Sequence, residues 1–292
     1  MNRSICLILL GFLSGCANYG HLTYITKLPI SLRENSGIVV LENSSIWTIE
    51  DSGNENEIYQ VNYKGDLLKT LEVKKSKNRD WEDLTKDEKG NIYIADFGNN
   101  DNERKNLVIY KIPNPTLEKG HKIKAEEIKF YYPEQKKFPP KKSNLLYDAE
   151  ALFYQNDTLY IITRNRSKPF SGKALIYKIP AIQGTYEATY IGEFIPCLES
   201  NNCQVTSADI SPDGKTVVVL GYGLLWVFTD FTLDNFTNGK MRTIDLGAET
   251  QLESVSFTDN ETVLISDEDT GFAGRNLYSF NLNSKAYLLP KD

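Results

Sequence analysis

Histidine is nearly missing from this sequence: His21 and His121 are the only two in 292 residues. Nucleophilic sites of the Ser/His/Asp or Cys/His kind need an imidazole positioned by a third group. His21 lies close to the N-terminus and His121 in a polar stretch, and neither belongs to a recurring motif. Histidine-dependent hydrolysis is therefore disfavoured, while carboxylate or metal-assisted chemistry stays open. Long apolar runs are missing as well. The stretch from Ile5 to Phe12 is far shorter than the roughly 20 residues a bilayer-spanning helix needs, and nothing later matches it, which predicts a soluble body. Nor is there an excess of positive charge. The net charge is −6, and Lys74, Lys75 and Lys77, like Lys136, Lys137, Lys141 and Lys142, form short loop clusters. Nucleic-acid binding wants a basic face, so no nucleic-acid partner is expected.

Cysteine is scarce, at four residues, and each has a different prospect. The opening MNRSICLILLGFLSGCANYG carries a basic residue, Arg3, then an apolar core, then small residues running into a cysteine. That is the layout of an export signal over residues 1–15. Leu13-Ser14-Gly15-Cys16 resembles the bacterial lipobox, which implies cleavage before Cys16 and lipid on its thiol and amine; the alternative is an ordinary secretory peptide. More than one acyl chain suffices for stable anchoring. The expected location is thus the cell envelope, outside the cytoplasm and bound to membrane through lipid. Ala17 after the cysteine resembles an outer-membrane sorting signal. Cys6 leaves with the signal, so Cys197 and Cys203 of CLESNNC remain as an even pair in an oxidising compartment, where a disulfide is favoured over two free thiols. A zinc site is disfavoured, since no histidine stands nearby.

What the sequence does have is an internal repeat. Five units each begin with a short strand whose first apolar residue is Ile38, Leu84, Leu152, Ile210 or Val255. A polar turn follows, such as KDEKG, YQND or SPDG, then a β-branched strand such as IYIAD, LYIIT or TVVVL. This is hairpin composition. A third strand carries a central aromatic in all five units: Tyr59, Tyr110, Tyr177, Trp226 and Tyr278. A more polar fourth strand follows in most. Four antiparallel strands per unit predict an all-β fold, a β-propeller of five blades, with six not excluded. An evenly stranded β-sandwich is the alternative, and the recurring aromatic argues against it. The last unit lacks an outer strand, which either YLLP near the C-terminus or HLTYITK near the N-terminus would supply. The expected organisation is signal (1–15), lipidated tether and possible ring-closing strand (16–28), and propeller (29–292).

Aligned on the first apolar residue, Ser36, Glu82, Glu150, Ala208 and Glu253 stand two positions before it. Glu34, Asp80, Asp148, Thr206 and Gln251 stand four before, on the same strand face. The second strand returns to the same rim and ends at Asp51, Asp96, Arg164, Tyr222 or Asp267. So many carboxylates around one opening repel one another unless a cation sits among them. Carboxylate, carbonyl and water oxygens suit Ca²⁺, which makes Glu82, Glu150 and Glu253 candidate ligands. Two other readings stay open: a solvated acidic rim, and pairing of the acids with Arg104, Arg164, Arg166 and Arg275 without any ion.

The motifs LPISLRENSG, DSGN, NRDWEDL, DFGNN with Arg104, DAEAL and TSADISPDG resemble those of an uncharacterised family of secreted bacterial β-propeller proteins, over nearly the whole mature chain. More distantly, the acid at the start of the innermost strand is similar to that of gluconolactonase- and paraoxonase-type propellers and of phytase-like esterases. That likeness implies a Ca²⁺ in the channel near Glu82, Glu150 and Glu253. The chain departs from it by lacking channel histidines.

Two functions follow. In the first, the propeller is a binding module for a small-molecule, glycan or protein ligand, with Glu34, Asp51, Arg104, Arg164, Tyr222, Asp267 and Arg275 at the binding face and Ca²⁺ in the channel. In the second, it is a metal-dependent hydrolase of esters, lactones or phosphoesters in which Asp96 or Asp148 is the general base. The first is favoured because no nucleophile is evident.

Overall fold

The computed structural model describes residues 19–41, 45–196, 198, 204–271 and 273–284. The expected signal segment, Cys16 and the Cys197/Cys203 pair lie outside the described residues, and so does YLLP.

Strand β1 (Thr23–Lys27) leads into β2 (Asn35–Leu41), β3 (Ser45–Glu50), β4 (Glu57–Val61) and β5 (Leu67–Lys74) of the first blade. The second blade is built from β6 (Trp81–Lys86), β7 (Ile92–Asp96), β8 (Leu107–Ile112) and, after the short β9 (Lys122–Lys124), β10 (Glu126–Tyr131). The third comprises β11 (Asp148–Gln155), β12 (Thr158–Arg164), β13 (Ala174–Pro180) and, after β14 (Gly184–Glu187), β15 (Thr189–Phe194). The fourth is β16 (Val205–Ile210), β17 (Val217–Gly221), β18 (Leu224–Thr229) and β19 (Lys240–Asp245). The fifth has β20 (Leu252–Phe257), β21 (Thr262–Asp267) and β22 (Asn276–Asn281). The fold is a five-bladed β-propeller.

The outer strand of the fifth blade is β1, which pairs antiparallel with β22, Tyr24 opposite Tyr278. The N-terminal segment therefore joins the two ends of the ring. Tyr19 stacks on Tyr24 with ring centroids 5.4 Å apart and also contacts the Tyr278 ring, which adds aromatic packing to the backbone ladder. Two outer edges receive a further strand: β9 runs parallel to β5, and β14 parallel to β10. Both extra strands come from the segment that leads to a later outer strand, so each covers the exposed edge of the blade before it.

The core lies between blades. Trp47, Ile49 and Val73 of the first blade pack with Trp81, Ile94 and Tyr110 of the second, and comparable clusters fill the other interfaces. The five recurring aromatics of the third strands are all buried. Alternation of apolar side chains on both faces of each blade is what a strand sandwiched between two neighbours requires.

Toward the axis, the free edges of the innermost strands find partners in side chains from neighbouring blades, as buried backbone groups must. Asp83 accepts from the amides of Leu84, Leu152 and Ala208 and from Ser207 Oγ, so one carboxylate ties the second, third and fourth blades. Asp209 likewise accepts from Phe257 N at 2.8 Å and Ser256 Oγ at 3.3 Å in the fifth. Gly37 makes the first two blades meet closely: a Cβ there would run into the backbone of Asp83 and Leu84.

Every innermost strand carries one residue more than its partner near its start. The register slips between Asn35 and Ile38, Trp81 and Leu84, Ala149 and Ala151, Val205 and Ser207, and Leu252 and Ser254. Such bulges re-aim a side chain at the rim of a sheet. They correct the fourth repeat. Placing its first apolar residue at Ile210 makes Ala208 the counterpart of Glu82, whereas the bulge makes it Thr206, because Ile210 is the last residue of β16, not its centre.

Candidate functional site

The bulged positions Ser36, Glu82, Glu150 and Glu253 open into one cavity of about 200 Å³ at the channel mouth. Glu34, Asp51, Arg164 and Tyr222, expected at the binding face, also line it. Asn35, Arg166, Asn100, Gln251 and Glu268 complete a lining that is almost wholly charged or amide.

Two sides of this mouth differ in how their charges are matched. On the side of the third to fifth blades, a chain of ion pairs and hydrogen bonds is continuous. The Asp148 carboxylate accepts from Asn99 N and from Arg166 Nε, each at 2.6 Å. Arg166 Nη2 stands 3.3 Å from Glu150 Oε1 and also donates to Asn100. Arg164 Nη1 reaches the same Glu150 oxygen at 3.3 Å, while its Nη2 donates to Tyr222 Oη at 3.1 Å and its Nε to Gln204. Tyr222 Oη donates to Glu253 Oε1 at 3.2 Å, and Gln251 Nε2 bridges Glu253 at 2.7 Å and Glu268. Each carboxylate here has a donor. Even so, burial raises Glu253 to about 7, with Arg164 opposing the rise. Burial, reinforced by Glu253 and Asp51, raises Glu268 to about 7.

On the side of the first two blades the acids have no such chain. Asp51, Asp80 and Glu82 each bring a carboxylate oxygen within 4.8 Å of the other two. Among the described residues no lysine or arginine forms an ion pair with any of the three. Burial pushes Glu82 well above the usual carboxylate range, and Glu150, Asp51, Asp80 and Asp148 push it further. Asp80 rises to about 6 through burial and the Asp51 charge, with Arg104 opposing. Asp51 is raised by burial too, and Glu34 adds to it. Gly98 allows this approach, since a Cβ at that position would overlap the Glu82 and Asp80 carboxylates. Three clustered carboxylates, Glu82 buried and Asp51 and Asp80 half-buried, none of them in an ion pair, fit a divalent cation such as Ca²⁺, with carbonyl and water oxygens filling the remaining positions.

The trio differs from the expected Glu82, Glu150 and Glu253. Those three do share the cavity, but Glu150 is taken by two arginines and Glu253 by Tyr222 and Gln251, so Glu82 is the one member common to both sets. The arginine pairing weighed from the sequence accounts for the others. Five expected residues lie outside the cavity lining, and Asp148, held by Arg166 and the Asn99 amide as described above, is one of them. Asp96 is fully buried and paired with Arg104 at 2.8 Å. Asp267 is consumed by Asn276 N, Thr250 Oγ1 and Tyr278 Oη, and the next residue, Glu268, faces the mouth instead. Arg275 is turned to Asp269 and the carbonyl of Leu28. Arg104 is held by Asp96 and the Gly98 carbonyl on the flank of the second blade. Asp80 was legible as half of the Asp-x-Glu pair at 80 and 82, and Arg166 as one of the arginines able to pair with the acids; nothing local singled out Glu268 or Asn100.

No protein-family model and no curated protein matches the chain. Solved structures of similar fold include the PQQ-bound aldose sugar dehydrogenase of Streptomyces coelicolor, at 10% identity over 90% of this chain and 98% of that one, with a TM-score of 0.53. An α-L-arabinanase of Penicillium chrysogenum complexed with arabinobiose matches at 9% identity, covering 92% and 84%, with a TM-score of 0.51. A putative gluconolactonase covers 86% and 75% at 10% identity and a TM-score of 0.47. These likenesses are of propeller architecture.

Proposed function

We propose that this chain is a lipid-anchored cell-envelope protein whose propeller binds a small polyhydroxylated or anionic ligand at the channel mouth, over a Ca²⁺ held by Asp51, Asp80 and Glu82. The observation that carries the reading is the division of the mouth. One side has its charges matched and presents arginine, tyrosine and amide groups; the other clusters three carboxylates, one buried and two half-buried, that form no ion pair with lysine or arginine. Bound Ca²⁺ would supply the missing charge and present open coordination positions to ligand hydroxyls or carboxylate, while Arg164 and Tyr222 would orient the ligand from across the cavity. The two sugar-related neighbours, an aldose dehydrogenase and an arabinobiose-bound arabinanase, make polyhydroxylated ligands the first to try.

The hydrolase alternative has less support. Asp148 is held by Arg166 and the Asn99 amide, and Asp96 by Arg104, so neither base candidate stands free at the cavity. The envelope location rests on the signal and lipobox motifs. Replacing Cys16 by serine is expected to shift the full-length chain from the membrane to the soluble fraction.

The central test is calorimetric titration of Ca²⁺ into metal-stripped protein spanning residues 17–292, natural and Glu82→Gln. Saturable binding that is lost in the variant supports the site and justifies ligand screens with Ca²⁺ present. Absence of binding at millimolar Ca²⁺ removes the cation from the reading.

A further inference from the structure

A second cavity, about 260 Å³, lies away from the channel mouth, beneath the segment that joins β10 to β11. Its walls are apolar and aromatic, with Phe130, Tyr132 and Phe138 among them, and its charged lining residues are Arg104, Lys105 and Lys136, with no acid. The side chain of Gln135 fixes the covering segment by donating to the Asn102 carbonyl at 2.8 Å, and Asn102 Oδ1 accepts from Tyr147 N at 2.8 Å. The wall is therefore built into the blade. Lys105 Nζ stands 4.9 Å from the centre of the Phe138 ring, over its face.

Two polar atoms of this lining are buried without a hydrogen-bond partner: Tyr132 Oη and Arg104 Nε. Tyr132 is only 3% exposed. Neither atom is exposed to the cavity, so both belong to its wall and the rim lysines are the donors within reach of a ligand. Burial raises the Tyr132 phenol, with Asp148 and Tyr147 adding to the rise, so it stays a donor throughout the physiological range.

We infer that this cavity is a binding site for a small aromatic carboxylate, whose ring enters among Phe130, Tyr132 and Phe138 and whose anion meets the Lys105/Lys136 rim. The volume is just below the range of about 300–1,000 Å³ for drug-sized ligands, which sets the size at one ring. Arg104 is already paired with Asp96, which leaves the two exposed lysines on an apolar wall with no carboxylate in its lining, and these select an amphipathic anion over a neutral or cationic ring. The site is separate from the channel mouth and independent of Ca²⁺.

The test uses phenylacetate as probe, with phenylacetamide as its neutral isostere, titrated by calorimetry into the protein spanning residues 17–292 in the absence of Ca²⁺. Saturable one-to-one binding of phenylacetate is expected. Binding about tenfold weaker or worse is expected for phenylacetamide and for Lys105→Gln/Lys136→Gln. Both lysines are exposed, so this variant keeps the fold. Glu82→Gln is expected to leave binding unchanged. No saturation at about 10 mM, where an interaction has little free energy left to report, overturns the inference. So does equal affinity for the two probes, undiminished binding by the lysine variant, or loss of binding in Glu82→Gln, which would move the probe to the channel.

Discussion

At the scale of single residues, the channel mouth depends on matching buried carboxylates to donors. Arg164 has a side chain 11% exposed beside a Glu150 side chain 4% exposed. Removing the arginine leaves a buried charge short of a partner, so Arg164→Ala should destabilise the protein by about 3 kcal/mol in urea unfolding. Replacing both by methionine should recover much of that loss; a double variant as unstable as the single one would show that the pair is not the cause. The acids on the other side obey the opposite logic. Gly98→Ala forces the Glu82 and Asp80 carboxylates aside, so it should weaken Ca²⁺ binding roughly tenfold or more while circular dichroism stays that of the parent. Asp80, at about 6, must lose its proton to bind a cation, so affinity should climb between pH 5 and 7 with protons released. An affinity flat over this range would argue against the trio as ligands. For stability without Ca²⁺ the sign is reversed. Glu253 and Glu268 have folded values near 7, above the ~4.3 of an unfolded glutamate. Between those values the folded chain binds more protons than the unfolded one. Their contribution is therefore greatest below about pH 4 and is lost as pH rises through 7, to be read from thermal midpoints in chelator.

At the scale of elements, the propeller depends on two close fits that local sequence hints at unequally. Strand β1 was legible as one of two candidates for the missing outer strand, because TYITK has strand composition; the choice was set by pairing with β22, across the full chain length. Deleting residues 17–27 exposes the β22 edge, and a lower melting temperature with concentration-dependent association is expected by scattering. A truncated chain that stays monomeric with an unchanged midpoint would show that β1 is dispensable. Gly37 was not legible, since its need arises from the approach of β2 to β6 and from no local turn. The fourth repeat was misaligned by two residues for a related reason. Apolar pattern marks where a strand runs, but a bulge breaks the alternation, and only cross-strand partners reveal it.

At the scale of the whole molecule, the five-blade count and the aromatic of each third strand were readable because each blade must bury both faces, which writes the same apolar pattern five times. The channel mouth was half readable. Glu82, Glu150 and Glu253 converge as the repeat predicts, yet which of them is neutralised depends on arginines from β12 and the loop after it, a relation between blades that no single repeat contains. The continuous ring of interfaces, with Asp83 tying three blades at the axis, predicts that thermal unfolding is one transition with equal calorimetric and van't Hoff enthalpies. Separate melting of blades would contradict that coupling. The bulges have a consequence for the history of such a molecule. The extra residue stands outside the ladder, so its side chain can change while backbone pairing on either side keeps its register. Serine, threonine and glutamate already occupy the five equivalent places. Four of them, Ser36, Glu82, Glu150 and Glu253, face the mouth, so selection can rewrite what is recognised there on a fixed ladder, provided that each new side chain leaves no buried partner unmatched.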